Sequence, residues 1–127
     1  KVLHLHDIHK GDSISYDRTF LAPHPTRIAT IPIGYADGYN RLLSNNGEVL
    51  IGGKRYPVVG RVTMDLLMVN IGQDKSIKVG DEVVILGSQG ENEISIHSLS
   101  EKLKTIPYEI MCSVSSRVPR IYTGEEI

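Results

Sequence analysis

The stretch EVLIGGKRYPVVGRV (residues 48–62) constrains the fold more than any other part of the chain. Two extended-favouring runs meet at Gly52-Gly53, a pair that reaches positive φ without steric cost, so the segment predicts a β-hairpin. The same punctuation recurs along the chain. KVLHLHDI alternates and turns at Lys10-Gly11-Asp12, and SISYDRTFLA continues extended until PHP breaks it. RIATIPIGY reads as a strand with an edge or bulge at Pro32, because proline removes a ladder donor. MDLLMVNI and KVGDEVVILG give further strands, Gln89 to Glu93 another turn, and SSRVPRIY a closing strand. Asp37 to Gly47 is a polar loop of a length that is often functional.

One helix interrupts this pattern. In SIHSLSEKLK, Ile96, Leu99 and Leu103 fall at helical spacing behind Ser95 as N-cap. A second short helix starts at Pro107, which suits a first helical position. With 127 residues the chain is one domain with one modest core. The expected fold is mainly β: a small closed or partly closed Greek-key-like β-barrel with one or two short helices.

Charge narrows the partners. The balance of 14 basic to 15 acidic residues, without blocks of either sign, points away from nucleic acid. No apolar run is long enough to span a membrane. Cys112 is the sole cysteine, which excludes an internal disulfide and fits a reducing, cytoplasmic setting. The chain starts with Lys1 and not Met, as a processed chain or a cut-out domain would.

Few residues carry chemistry by pattern alone. His4, His6 and His9 lie close together, but they lack a third ligand at convincing spacing, so no metal site is expected. Asp65 interrupts an apolar strand; as a structural feature it is an edge carboxylate paired with an arginine, and Arg61 lies nearby. Arg117 and Arg120 offer one further structural partner. Tyr16, Tyr35 and Tyr108 are each either a half-buried packing residue or a base, and a phenol needs a cation or hydrogen bonds to act as a base near neutrality. None of the seven lysines sits in the apolar surroundings that tune a Schiff-base amine.

SYDRTF, IPIGYADGYNR, PVVGRVTMDLLMV, GDEVVILG and IPYEIMCSVSSRVPR occur in the order of one family. Together they resemble the C-terminal domain of bacterial alanine racemases, over nearly the whole chain. The resemblance implies a two-domain pyridoxal-phosphate enzyme whose (β/α)8 barrel, carrying the cofactor lysine, precedes this β domain (residues 1–127). It implies a homodimer whose active site lies between the barrel of one subunit and the β domain of the other. The activity implied is interconversion of L- and D-alanine, supplying D-alanine for peptidoglycan in the cytoplasm. Tyr16 then matches the base that takes the α-proton on the L face, and Tyr35 lines the substrate entryway. Tyr108 matches a tyrosine near the cofactor phosphate, Met64 a position whose backbone N–H contacts the substrate carboxylate, and Arg61 and Asp65 shape the entryway. The isolated domain is expected to be inactive.

Two positions depart from the family's usual pattern: Asp17 where many members have glycine, and Thr63 where many have cysteine. Both leave room for altered substrate choice. The rival readings are a serine or broad-specificity racemase of the same fold, a pyridoxal-phosphate decarboxylase of similar build, and a non-catalytic β-barrel binding module.

Overall fold

The computed structural model describes residues 1–14 and 20–123. Its centre is a six-stranded antiparallel sheet of order β1-β4-β7-β6-β5-β8. These strands are β1 (His4–Ile8), β4 (Thr26–Ile31), β5 (Glu48–Ile51), β6 (Lys54–Val59), β7 (Leu67–Gly72) and β8 (Val83–Val84). Two small hairpins flank it, β2 (Ser13–Ile14) with β3 (Phe20–Leu21) and β9 (Gly87–Gln89) with β10 (Asn92–Ile94). Helices α1 (Ile96–Leu103) and α2 (Pro107–Ser113) follow.

The expected hairpin is present: Glu48 to Ile51 pair with Pro57 to Lys54, and Gly52 and Gly53 both take positive φ, 61° and 80°. Alternation in β4, β6 and β7 sorts side chains to two faces. Leu67, Val69 and Ile71 of β7, Val58 of β6, Ala29 and Ile31 of β4, and all of Val49, Leu50 and Ile51 enter the main core. Ile8, Ala22, Ile28 and Val59 form a smaller cluster on the other face, so β4 is covered on both sides. Each fully buried aliphatic side chain contributes roughly 1.5–3 kcal/mol.

The sheet curls. Val2, just before β1, donates its N–H to Asp81 O at 2.8 Å and accepts from Gly80 N–H at 2.8 Å, just before β8. The two outer strands are therefore bridged at one end. Of the two expected forms, the partly closed barrel is the one observed.

Helix α1 is capped as expected: the Ser95 hydroxyl accepts from Ser98 N–H at 3.0 Å, and Leu99 faces the core. Helix α2 begins at Pro107 but buries no residue. Between α1, α2 and β8 lies a cavity of about 430 Å³, floored by Tyr39, Leu43, Val84, Leu99, Leu103 and Ile110.

Three sequence expectations are corrected. β4 stops at Ile31, before Pro32, and lies inside the sheet between β1 and β7. Its irregularity falls between Arg27 and Ile28, where the register with β7 shifts, so the proline ends the strand and does not bulge it. SSRVPRIY forms no strand; residues 114–123 are turn and irregular backbone, and Pro119 has no donor to offer a ladder. The 37–47 loop contains a 3-10 turn, Arg41–Leu43, and places Tyr39 and Leu43 in the core. Among the described residues no helix is long and apolar enough to cross a membrane.

Candidate functional site

Gly34 opens a 3-10 turn, Tyr35–Asp37, that lies flat against the backbone of residues 63 and 64. Tyr35 N–H donates to Thr63 O at 2.9 Å and Ala36 N–H to Met64 O at 3.0 Å. A Cβ on Gly34 would stand 2.2 Å from Thr63 O and 2.5 Å from Met64 C. Gly34 is extended (φ −152°), so the requirement for glycine is one of space alone. The Asp37 carboxylate reaches back to Gly34 N–H at 2.9 Å and closes the turn. Gly38 follows at φ 112°, where a Cβ would also meet Ser113 O at 2.6 Å.

The facing corner, residues 63–66, is closed by a side chain. Thr63 Oγ1 donates to Leu66 O at 3.0 Å and accepts from Leu66 N–H at 3.1 Å. That hydroxyl takes the Leu66 donor, which leaves the Thr63 carbonyl for Tyr35 N–H. The departure at Thr63 thus has a definite structural role.

Arg117 joins these pieces. Its Nε lies 2.8 Å from Asp37 Oδ1, and its NH2 donates to Asp65 Oδ1 at 2.7 Å. The hydrogen bond to Asp65 first, and the charge of Asp37 after it, push the guanidinium further up from its ordinary value. Ser115 N–H donates to Asp37 O at 3.2 Å, which brings the end of α2 to the same point.

The site residues read from sequence now have places. Tyr35, Met64 and Asp65 meet at this corner, all exposed, and the Arg41 guanidinium stands 5.7 Å over the Tyr35 ring. Tyr108 lies on α2, 71 % exposed. Arg61 is exposed before the corner. The anticipated Arg61–Asp65 pair is replaced by Arg117–Asp65, 52 residues apart. A spacing of four brings side chains together on a helix, and residues 61–66 are not helical. Tyr16 and Asp17 lie outside the described residues.

Sequence reasoning missed Gly34 and Asp37 as functional positions. A carboxylate three residues after the start of a short helical turn is a capping signal and could have found the second. Among the described residues no group of three or more His, Cys, Asp or Glu could hold a metal ion; His4 and His6 stack with ring centroids 5.5 Å apart.

A covalently held aldehyde cofactor needs a desolvated amine, and all seven lysines of the chain are exposed. What the chain can offer such a cofactor is a peripheral hydrogen bond, and the exposed Tyr108 phenol at the head of α2 suits a phosphate oxygen.

An antiparallel half-barrel with two short helices and a polar corner defines a small β domain. The chain belongs to the family described as alanine racemase, C-terminal domain, whose model matches residues 1–122. It is 52 % identical over 122 residues to alanine racemase 2 of Caldanaerobacter subterraneus subsp. tengcongensis, covering 96 % of this chain and 31 % of that protein. The alanine racemase of Bacillus anthracis, solved with bound L-Ala-P, superposes with a TM-score of 0.91 at 44 % identity, over 97 % of this chain and 31 % of that one. That of Bartonella henselae, solved with covalently bound pyridoxal phosphate, gives 0.88 at 37 % identity, over 96 % and 33 %. The chain therefore spans about a third of the length of these relatives.

Proposed function

We propose that this chain is the β domain of a full-length alanine racemase and supplies a tyrosine base and part of the substrate entryway. The observation that carries the reading is the corner itself: the turn at Tyr35 and the corner at Met64 are locked together by backbone hydrogen bonds while the Tyr35 and Met64 side chains stay exposed, 47 % and 51 %. Rigid backbone with open side chains suits residues that face a second body, here the barrel domain of a partner subunit in a cytoplasmic homodimer. The barrel would hold pyridoxal phosphate by its lysine, with Tyr108 reaching the phosphate.

Racemisation needs a proton taken from one face of the α-carbon and returned on the other, so two bases must oppose each other. The bound cofactor supplies the electron sink. Tyr16 is the base on the L face, and a phenol serves as a base near neutrality only beside a cation or hydrogen-bond donors. Met64 N–H holds the substrate carboxylate through a charge-assisted hydrogen bond. Tyr35, Arg61 and Asp65 shape the approach. The D-alanine formed would serve peptidoglycan.

The test is Tyr16→Phe in the full-length protein, read as exchange of the α-hydrogen with deuterated water for each enantiomer by NMR. Exchange from L-alanine is expected to fall by about 10²–10⁴-fold, the usual worth of a general base, while exchange from D-alanine persists. An equal response of the two enantiomers, or an L-specific loss in Tyr35→Phe instead, refutes the assignment of the base.

A further inference from the structure

Helix α2 presents a mechanical problem. It buries no residue fully and overhangs a cavity, and only Ile110, partly buried, packs against the core, so apolar packing fixes its place weakly. The corner at Met64 is likewise exposed and lies beyond the ends of the sheet strands. Directional bonds must hold both, and they converge on one side chain. The guanidinium of Arg117 spans Asp37 on the Tyr35 turn and Asp65 on the Met64 corner, from a segment that follows α2 directly. The two carboxylates differ in setting: that of Asp37 is 12 % exposed and also caps Gly34, whereas that of Asp65 is 57 % exposed. A planar fork presents separate donors to two such groups in a fixed geometry, whereas an ammonium gathers its three donors on one nitrogen.

We propose that Arg117 is a positioning residue for the amino-acid substrate: it clamps α2 and the Tyr35 turn onto the Met64 corner and so sets where the Met64 N–H points. This rests on the reading above, in which that N–H receives the carboxylate. The carboxylate is present before, during and after proton transfer, so its contact is uniform binding energy. Misplacing it raises KM and leaves kcat near its original value.

The experiment uses the full-length holoenzyme. Arg117→Met retains the unbranched stem and deletes the donors. KM for L-alanine is expected to rise between about tenfold and a hundredfold, the scale of a displacement of about an ångström, with kcat close to wild type. Arg117→Lys, which keeps the charge without the fork, should recover part of this. Arg55→Met, which breaks a surface pair with Glu48 at 3.8 Å, should change neither constant. Amide exchange supplies a readout independent of turnover: Tyr35 and Ala36 N–H should exchange faster in Arg117→Met while β4 and β7 keep their protection. Unchanged KM in Arg117→Met overturns the proposal, as does a parallel fall of kcat and of protection throughout the sheet. If Arg117→Met does not fold, Arg117→Lys decides by the same two readouts. If the wild-type protein does not racemise alanine, the functional reading fails on that result, and unaltered exchange at Tyr35 and Ala36 separately refutes the clamp.

Discussion

The wall of the half-barrel and the corner at Met64 solve opposite problems. In the wall, β4 and β5 bury nearly every side chain and β7 alternate ones, and packing among Leu50, Leu67 and Val69 on one face and around Ile28 on the other holds the strands. Such packing is collective and forgiving, because each contact is small and many share the load. At the corner Tyr35, Met64 and Asp65 are all exposed, and order depends on a few bonds: two from the Tyr35 turn, two through the Thr63 hydroxyl and two from Arg117. A wall can lose one methylene and persist. A corner built from single bonds changes shape when one is removed. That difference places stability and substrate recognition on separate residues.

The largest effect should come from Gly34→Ala. Its methyl group meets the backbone of Thr63 and Met64, and backbone cannot swing aside as a side chain can. The Tyr35 turn must lift from residues 63 and 64, so kcat/KM of the full-length enzyme is expected to fall by about a hundredfold or more. Thermal unfolding of the sheet should change far less. A variant that loses stability in proportion to activity would erase the distinction between the two regions.

Leu50→Ala tests the wall. Leu50 is fully buried, and the truncation should cost about 2–5 kcal/mol of unfolding free energy in urea titration. Steady-state constants measured well below the midpoint should match wild type. A shifted KM would mean that the core and the corner are coupled.

The smallest effect sharpens the comparison at a polar node on the wall. Tyr56 donates to Asp74 Oδ2 at 2.5 Å, and Asp74 also accepts from Ser76 N–H at 2.8 Å. Burial first, and then the hydrogen bond and charge of Asp74, push the Tyr56 phenol from 10.0 up to about 12. A raised folded value stabilises the fold fully below the unfolded value and loses that contribution as pH rises through the folded one. Stability should therefore decline between about pH 10 and about pH 12, and Tyr56→Phe should flatten this limb. Chemical denaturation at stepped pH measures it; identical slopes would remove Tyr56 from the account. Asp74 behaves oppositely: hydrogen bonds from Ser76 and then Tyr56 hold its carboxyl well below the usual range, so its contribution is lost in acid.

The wall was the more legible region in the sequence, for a physical reason. The β5–β6 hairpin is encoded by adjacent residues, with Gly52-Gly53 between alternating runs, and α1 by the spacing of Ile96, Leu99 and Leu103 behind Ser95. Local chemistry suffices for such elements. The corner is assembled from segments around residues 34, 63 and 117, and no local pattern says that Arg117 will select Asp37 and Asp65 over nearer carboxylates. The same limit explains the strand expected at SSRVPRIY: alternation predicts extended backbone, but pairing needs a partner elsewhere. Pro32 was misplaced similarly. Its neighbours favour extension, yet β4 is a central strand and has to end before a residue that cannot donate.

The bridge from Val2 to Gly80 and Asp81 has a consequence for the order in which the chain can fold as it is made. β1 can pair with β4 once residue 31 has emerged from the ribosome, because their contacts are near in sequence. The bond from Val2 to Asp81 waits for some fifty further residues, several seconds of synthesis at about 5–20 residues per second. Through that interval the outer edge of the first strand presents unpaired peptide groups to any neighbouring chain. Within this domain, the end of the strand that finally seals the half-barrel is thus the part that waits longest for its partner, and it marks where the nascent domain is most open to chaperones or to mispairing.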